Sequence, residues 1–317
     1  MQDVQFALYS DFECTLEETE KRYAETLEYQ AHKPCSVGVK LVTTVPELAN
    51  IPYKSYTGKD CTEWLLHELV ALEAKCVEYM YRNERMKFDD DARRRFESAK
   101  ECFVCHKPFN PHPQQQSQMK VRDHDHVTGE FRGAAHSYCN LQMRRQAKIP
   151  VFFHNFRGYD SHLIVQAFDQ YKDRNISVIG SGMEKYMVVS WGDHLVFKDS
   201  LQFLSCSLES LAANLLKSGR EKFEILYKEI NNPNVDLLLR KGVYPYDYMD
   251  RIEKLNETQL PPKAAFYSKL REEDISDEDY AHAQHVWQAF GCTRMQDYHD
   301  IYLKSMLNYN NTFISFL

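Results

Sequence analysis

Apolar and polar positions alternate in several short stretches of the chain, a period of two that is typical of β-strands. The first stretch, Phe6 to Glu13, is mainly apolar until it ends in two carboxylates. A hairpin is indicated where Gly192 and Asp193 separate two later apolar runs. The strands predicted in this way cover residues 6–13, 36–42, 53–56, 151–153, 187–190 and 195–197.

A period near 3.6 residues predicts helices between these strands. Trp64 and the apolar residues that follow it favour an amphipathic helix over 61–82, with Asp60 and Glu63 as a capping pair. Three aspartates at 89–91 open a second helix at the end where the helix dipole favours negative charge. Further helices are predicted after Ser207, over 161–170 and 276–290, and from 298 onward. The charged residues 15–31 favour a loop or a short helix, and 231–265 have no clear pattern. This mixture indicates an α/β fold.

Composition narrows the class of protein. The chain has 317 residues, 43% of them hydrophobic, and a net charge of −7, which argues against a generally basic nucleic-acid-binding surface. No apolar run approaches the roughly 20 residues of a membrane span, and the N-terminus lacks a basic-then-apolar signal. The nine cysteines are mostly scattered. We therefore expect an intracellular protein of the nucleus or cytoplasm, neither secreted nor bound to a membrane.

Asp11 and Glu13 lie on the same side of the first predicted strand, because side chains alternate along a strand. Two neighbouring carboxylates repel each other unless a cation lies between them. The pair is therefore a candidate half-site for a divalent metal ion. The alternative is a strand that ends in an acidic loop, because more glutamates follow.

Residues 101–145 interrupt this pattern, since they are rich in His and Cys and poor in large aliphatic residues. Two pairs at matching spacing, Cys102 with Cys105 and His136 with Cys139, predict a closed tetrahedral zinc site. Between them, Asp123 and His124 adjoin, and Asn140 follows the last cysteine. This arrangement suits a single-metal nuclease, in which the histidine deprotonates water while Asp and Asn hold Mg²⁺. The alternative is a purely structural knuckle, in which His124 and His126 are spare ligands or surface residues.

With its Asp-His-Asp-His-x-Thr-Gly run and Arg132-Gly133, the segment 102–140 resembles the HNH (ββα-metal) nucleases of the phage recombination endonuclease VII type. The resemblance implies zinc bound by Cys102, Cys105, His136 and Cys139. It also implies a divalent ion held by Asp123 and Asn140, with His124 as the general base. His136 stands where the phage enzyme has cysteine, a change that zinc tolerates.

A second carboxylate motif, Asn155-Phe156-x-x-Tyr159-Asp160, follows the strand 151–153. Asp160 could meet the side of the sheet that carries Asp11 and Glu13, or it could be an ordinary helix cap. Together the two motifs resemble the first two exonuclease motifs of family-B DNA polymerases. The runs Lys198-Asp199-Ser200-Leu201 and Lys241 to Tyr246 are similar to the protein-primed branch found in viruses, linear plasmids and Polinton (Maverick) transposons.

That resemblance implies a ribonuclease-H-like 3′–5′ exonuclease domain, a mixed sheet flanked by helices, with two Mg²⁺ or Mn²⁺ ions at the active site. Asp11 would bridge both ions, Glu13 would help to hold the ion that activates water, and Asp160 would hold the other. Asn155 and Phe156 would contact the unpaired 3′ end of DNA, with Phe156 stacking on a base. A terminal priming protein is a further partner that the resemblance implies.

The third exonuclease motif of that family, Tyr-x-x-x-Asp, is incomplete. Tyr302 matches its tyrosine, but Met306 stands at the aspartate position, and a thioether is a poor ligand for a hard cation. Asp297 and Asp300 are in the wrong helical phase to replace it. The residues after Met306 no longer resemble the family, and the polymerase palm motifs are absent from this sequence.

The sequence therefore predicts an exonuclease-like domain over 1–100 and 146–317, with a truncated or divergent end, and an inserted zinc module over 101–145. Its expected activity is two-metal 3′–5′ hydrolysis of DNA ends, weakened by Met306. Two alternatives stay open, an endonuclease acting through the zinc module and a non-catalytic DNA-binding remnant of a transposon polymerase.

Overall fold

A mixed seven-stranded sheet flanked by helices forms the centre of the fold. The structure is a computed structural model that describes residues 5–23, 26–143, 147–182, 185–204 and 206–314. The strands are β1 (Phe6–Tyr23), β2 (Thr26–Thr43), β3 (Lys54–Thr57), β6 (Ile149–Phe153), β7 (Ile176–Gly182), β8 (Lys185–Trp191) and β9 (Leu195–Asp199), in the order β3-β2-β1-β6-β9-β8-β7. Two more strands, β4 (Lys120–His124) and β5 (Phe131–His136), form a separate antiparallel hairpin.

The centre of the sheet pairs β1 with β6 in parallel, with Leu8 opposite Val151 and Tyr9 opposite Phe152. Around it, β2 pairs with β3, and β8 pairs with β7 and with β9, all antiparallel. The predicted α/β class is confirmed, because helices flank a mixed sheet whose central parallel strands lie far apart in the sequence. The predicted hairpin is also present, and Gly192 supplies its left-handed backbone conformation with φ +65°.

Residues 15–31 differ from their prediction as a loop or short helix. β1 continues to Tyr23 and β2 begins at Thr26, so residues 15–23 and 26–31 are extended. The Lys33 ammonium lies 2.6 Å from the Glu17 carboxylate, and the Leu16 amide donates to the Met249 carbonyl. Opposite charges on neighbouring strands stabilise an extended pair, which explains how so polar a stretch remains in the sheet.

Six helices in the described part of the chain lie within a few residues of their predicted positions, and two short ones, over 137–142 and 224–229, were not predicted. The helices are α1 (Cys61–Met80), α2 (Asp90–Ser98), α3 (Ser137–Gln142), α4 (Asp160–Ala167), α5 (Leu208–Lys217), α6 (Glu224–Glu229), α7 (Asp277–Ala289) and α8 (Met295–Ile314). Asp89, Ser207 and Ser276 each cap a helix by accepting a backbone N–H. The proposed pair at the start of α1 is different, because Asp60 accepts from the Tyr56 hydroxyl and Glu63 from the Gln170 amide. No helix among the described residues is long and apolar enough to cross a membrane.

The chain folds into two compact units. The smaller unit contains 1–6, 43–50 and 71–149, and the larger contains 7–42, 51–70 and 150–317. The predicted 101–145 module lies inside the smaller unit. In the larger unit, residues 231–265 form short single turns, at Val235–Leu238 and Ile252–Asn256, that pack with α8 in one apolar core.

His299 on α8 is fully buried in the larger unit, with both ring nitrogens engaged. Its Nε2 lies 2.5 Å from the Ser36 hydroxyl and its Nδ1 lies 2.5 Å from the Tyr244 hydroxyl. Burial lowers the pKa of His299 from 6.5 to about 4, because the charged ring would lose its hydration. The ring is therefore neutral in the folded protein near pH 7.

We expect the free energy of unfolding to fall as the pH drops from 6.5 toward 4. In that window the unfolded chain binds a proton at His299 that the folded chain excludes, whereas above it both states are neutral. The loss attributable to this group is on the order of 3 kcal/mol. Urea unfolding at neutral and mildly acidic pH will measure it. A His299→Gln variant that keeps the full wild-type pH dependence would contradict the assignment.

Candidate active site and metal centre

A cleft of about 830 Å³ in the larger unit is lined by Asp11 and Glu13 from β1. Glu13 is 6% exposed, Asp11 is partly exposed, and Phe12 between them points into the core. Asp160 begins α4, just after β6, and is 3% exposed. Because β6 pairs in parallel with β1, the end of β6 brings Asp160 to the two β1 carboxylates.

Each of the three carboxyl groups has a raised pKa. Burial raises the pKa of Asp11 to about 7. Burial, followed by repulsion from Asp11 and Asp160, raises the pKa of Glu13 well above its usual range. Burial and the charge of Asp11 do the same for Asp160. Buried acids that raise one another's pKa values are typical of a site that receives a cation.

Asp199 at the end of β9 fixes the loop that carries Asp160. Its carboxylate accepts the backbone N–H groups of Asn155 at 2.9 Å and Arg157 at 3.1 Å. Asn155 takes the left-handed conformation with φ 68°, which asparagine tolerates better than most residues. A Cβ at Gly158 would lie 2.8 Å from Asn155 Oδ1, so a larger residue there would displace the Asn155 side chain. The sequence motif contains Asp199, but nothing in the motif reveals this positioning role.

Phe156 does not face the cleft. Its side chain is fully buried, and its ring stacks on Phe197 at 5.8 Å and packs against Phe153 at 5.5 Å between centroids. This placement makes Phe156 a core residue, contrary to the prediction that it stacks on a base. Asn155 is likewise not among the residues that line the cleft.

The run 241–246 packs against Tyr302 on α8. A Cβ at Gly242 would lie 2.6 Å from the Tyr302 ring, so only glycine permits this approach. The Tyr246 and Tyr302 hydroxyls lie 2.5 Å apart, and Tyr244 stacks on Tyr302 at 4.8 Å. Lys241 lines the same cleft, and its charge partly offsets the factors that raise the pKa of Glu13. These contacts place a cation and a tyrosine hydroxyl pair beside the carboxylates.

Met306 lines the cleft together with Asp11, Glu13 and Tyr302. It lies one helical turn after Tyr302, so the incomplete motif faces the site as its spacing predicts. Asp297 instead caps the start of α8 by accepting from Thr293 and Arg294, and Asp300 accepts from Gln296. Neither Asp297 nor Asp300 lines the cleft. This agrees with the prediction that their helical phase prevents them from replacing the missing aspartate.

Cys102, Cys105, His136 and Cys139 form a group that could bind a metal ion such as zinc, since their ligand atoms all lie within 4.8 Å of one another. Cys105 Sγ lies 3.5 Å from His136 Nδ1. A tetrahedral zinc ion with ordinary bond lengths predicts about 3.6 Å for that edge. The residues therefore fit the ion. Asp11, Glu13 and Asp160 do not form so tight a group, and Asp160 is not among the residues that line the cleft.

Local structure prepares this Cys/His group for a cation. Burial raises the pKa of Cys102, but hydrogen bonds from the backbone of Cys105, His136 and Val104 outweigh it and lower the value to about 6. Cys102 and Cys105 lie on a tight turn, in which His106 has φ 55°. The other two ligands come from the end of β5 and the first turn of α3. β4, β5 and α3 follow one another in the chain around this group.

The other residues that the HNH resemblance singles out do not form the divalent-ion site that it implies. They are Asp123, His124 and Asn140. Asp123 is 4% exposed and forms an ion pair with Arg132 on the neighbouring strand. The His124 ring lies 4.4 Å from the His126 ring, whose Nδ1 is 2.9 Å from Asn83 Oδ1. Asn140 lies on α3 and is partly exposed. Because its carboxylate is already paired, Asp123 is not disposed to hold a divalent ion.

Comparisons of this chain with protein-family models, with curated proteins and with solved structures found no significant match.

Proposed function

We propose that the cleft of the larger unit is a 3′–5′ exonuclease-type site of the kind that accompanies family-B, protein-primed DNA polymerases. The observation that carries the proposal is the proximity of Asp11, Glu13 and Asp160, from two separate parts of the chain. The charges of Asp11 and Asp160 raise the pKa of Glu13, and the charge of Asp11 raises the pKa of Asp160. A ribonuclease-H-like fold is part of the proposal, supported by a mixed sheet in which β1 carries Asp11 and Glu13 and its parallel neighbour β6 leads to Asp160 at the start of α4. The substrate is the single-stranded 3′ end of DNA.

Asp11, Glu13 and Asp160 are the residues that would hold Mg²⁺ or Mn²⁺. A bound divalent ion supplies an activated water and offsets the negative charge of the phosphate. Lys241 contributes positive charge to the same cleft, and Tyr302 presents a hydroxyl held by Tyr246. A cleft of about 830 Å³ has room for a terminal nucleotide.

We assign a structural role to the Cys/His group, with zinc as the ion and the segment 102–140 as the part it holds together. Such a small, polar segment buries little apolar surface, so a metal can supply stability that a core does not. A terminal priming protein and the polymerase remain part of the proposal as partners of the whole system.

The experiment that tests the proposal follows single-stranded DNA labelled at its 5′ end. We expect a ladder of products shortened from the 3′ end with Mg²⁺ or Mn²⁺, and protection when the 3′ end is blocked by an inverted nucleotide. Release of mononucleotides from the 5′ end, or no metal-dependent degradation at any concentration of protein, would contradict it.

The non-catalytic alternative is favoured by one observation, the presence of Met306 in the cleft where the family has aspartate. In that case the cleft would bind DNA ends and hydrolyse them slowly or not at all. Binding of single-stranded DNA that depends on Asp11, in the absence of any product ladder, would distinguish it.

Replacing Met306 by Asp is expected to raise the 3′–5′ degradation rate by about tenfold or more, because a fourth carboxylate adds a ligand for a hard cation. The change also adds a buried acid, so we expect a lower melting temperature without metal and a larger rise when Mg²⁺ is added. Met306→Leu conserves volume and is the matched control. If neither activity nor the Mg²⁺-induced shift changes in Met306→Asp, α8 does not present residue 306 to the metal-binding carboxylates.

A further inference from the structure

Asp123 and Arg132 form a two-point ion pair on the β4–β5 hairpin of the smaller unit. Arg132 Nε donates to Asp123 Oδ2 at 2.6 Å, and Arg132 Nη2 donates to Asp123 Oδ1 at 3.1 Å. Both carboxylate oxygens are thus engaged by one planar guanidinium, which is the strongest common form of such a pair. A register shift between Asp123 and His124 accompanies this contact.

This pair disagrees with a divalent ion at Asp123. An ion would have to displace the guanidinium from a carboxylate that is 4% exposed. It would then leave the positive Arg132 beside a second cation, which repulsion disfavours. Within the described hairpin, the positive charge that neutralises Asp123 is therefore already built into the chain.

Charge along the chain is unevenly divided. Residues 71–149 carry fifteen Lys and Arg against eleven Asp and Glu, a net charge of +4, which leaves −11 for the other residues. Exposed arginines 93, 94 and 95 lie on α2, which packs beside β5, and Arg95 donates to the Arg132 carbonyl at 3.3 Å. A positive segment in an acidic protein favours binding of a polyanion at that segment.

We propose that Arg132 takes the place of the divalent ion, so that the ββα module binds a phosphate of a polynucleotide backbone without a metal and without cleaving it. A guanidinium has five N–H donors, and the pair with Asp123 uses two of them. The others can reach a phosphate oxygen, since the Arg132 side chain is 29% exposed. Asp123 acts as a positioning residue that holds the Arg132 guanidinium in one orientation.

This inference does not rest on the exonuclease-type cleft, and its test avoids that cleft. The protein is the full chain carrying Asp11→Asn and Asp160→Asn, and the probe is a duplex DNA closed by loops at both ends, which offers no 3′ end. A closed duplex RNA is the second probe. Comparing the two probes shows whether the bound phosphate belongs to a DNA or an RNA backbone. Binding is measured by fluorescence anisotropy in buffer stripped of divalent ions, and again with Mg²⁺, with the zinc content verified in both.

We expect binding to at least one duplex with affinity that does not increase on addition of Mg²⁺, and no nicking of the closed DNA. Arg132→Gln is expected to weaken binding about tenfold or more. It is also expected to reduce the slope of log affinity against log salt concentration by about one. Arg94→Gln removes the same charge from an exposed position paired with Asp91, and is expected to have a much smaller effect.

Three results would overturn the proposal: absence of binding to both duplexes at low salt, equal losses in Arg132→Gln and Arg94→Gln, or Mg²⁺-dependent nicking that His124→Ala removes. If Arg132→Gln does not fold, Mn²⁺ titration of the Asp11→Asn, Asp160→Asn protein followed by electron paramagnetic resonance still decides the matter. We expect no Mn²⁺ site that depends on Asp123, and a site abolished by Asp123→Asn would contradict the proposal.

Discussion

Replacing Asp11 and Asp160 together by asparagine is expected to reduce metal-dependent degradation of single-stranded DNA by about a thousandfold or more. Losing two carboxylate ligands removes metal-ion stabilisation worth several kcal/mol, and each 1.4 kcal/mol is tenfold in rate. The product ladder from a 5′-labelled strand, measured over a series of Mn²⁺ concentrations, gives the rate for each variant.

The same variant is expected to be more stable than wild type in the absence of divalent ions. Burial raises the pKa of Asp11, and burial together with the charge of Asp11 raises the pKa of Asp160, so their charged forms cost free energy in the folded state near neutral pH. Asparagine has the same shape without the charge. A rise in melting temperature together with a loss of activity indicates a site that is adapted to a ligand and not to stability.

Asp173→Asn is the matched control, because it makes the same chemical change at an exposed position of the larger unit. We expect it to leave both activity and melting temperature near their wild-type values. Wild-type degradation in the Asp11→Asn, Asp160→Asn variant would refute the exonuclease-type cleft.

Removing the metal from the Cys/His group is expected to have the largest effect on stability. Structural zinc sites contribute about 10 kcal/mol or more of apparent binding free energy, and the segment they hold is often unfolded without the ion. We expect one zinc per chain in the wild-type protein and none in Cys105→Ser. Backbone amides of β4, β5 and α3 are expected to lose their protection in hydrogen exchange when zinc is absent.

Cys206→Ser is the control for this change, since Cys206 is exposed and lies outside the ligand group. We expect it to keep zinc content and amide protection unchanged. Zinc bound at the wild-type level in Cys105→Ser, or full protection in a zinc-free protein, would show that the module does not depend on this centre.

Sequence reasoning succeeded where the signal is local. Ser207 caps its helix as predicted, and helices begin close to the predicted starts at 89–91 and 276. The grouping of Cys102, Cys105, His136 and Cys139 is encoded in two short spacings. These features depend on backbone geometry over a few residues, which the order of residues specifies directly.

Sequence reasoning failed where tertiary packing decides between local conformations that the sequence favours equally. The charged residues 15–23 and 26–31 are extended because β1 and β2 are neighbours in the sheet. Phe156 was assigned to a base and lies in the core, since an aromatic residue in a turn has the same sequence signal in either place. The pairing of Arg132 with Asp123 depends on strand register, and a β-bulge lies at that point.

For the strand that carries Asp11 and Glu13, the sequence by itself determined that two carboxylates share one face. Alternation of side chains follows from strand geometry alone. Only the tertiary structure brought Asp160, Lys241 and Met306 to that face, across up to almost the whole length of the chain. The physical reason is that periodicity reports which side of an element is apolar or polar, whereas sheet order and helix packing decide which distant side chain meets it.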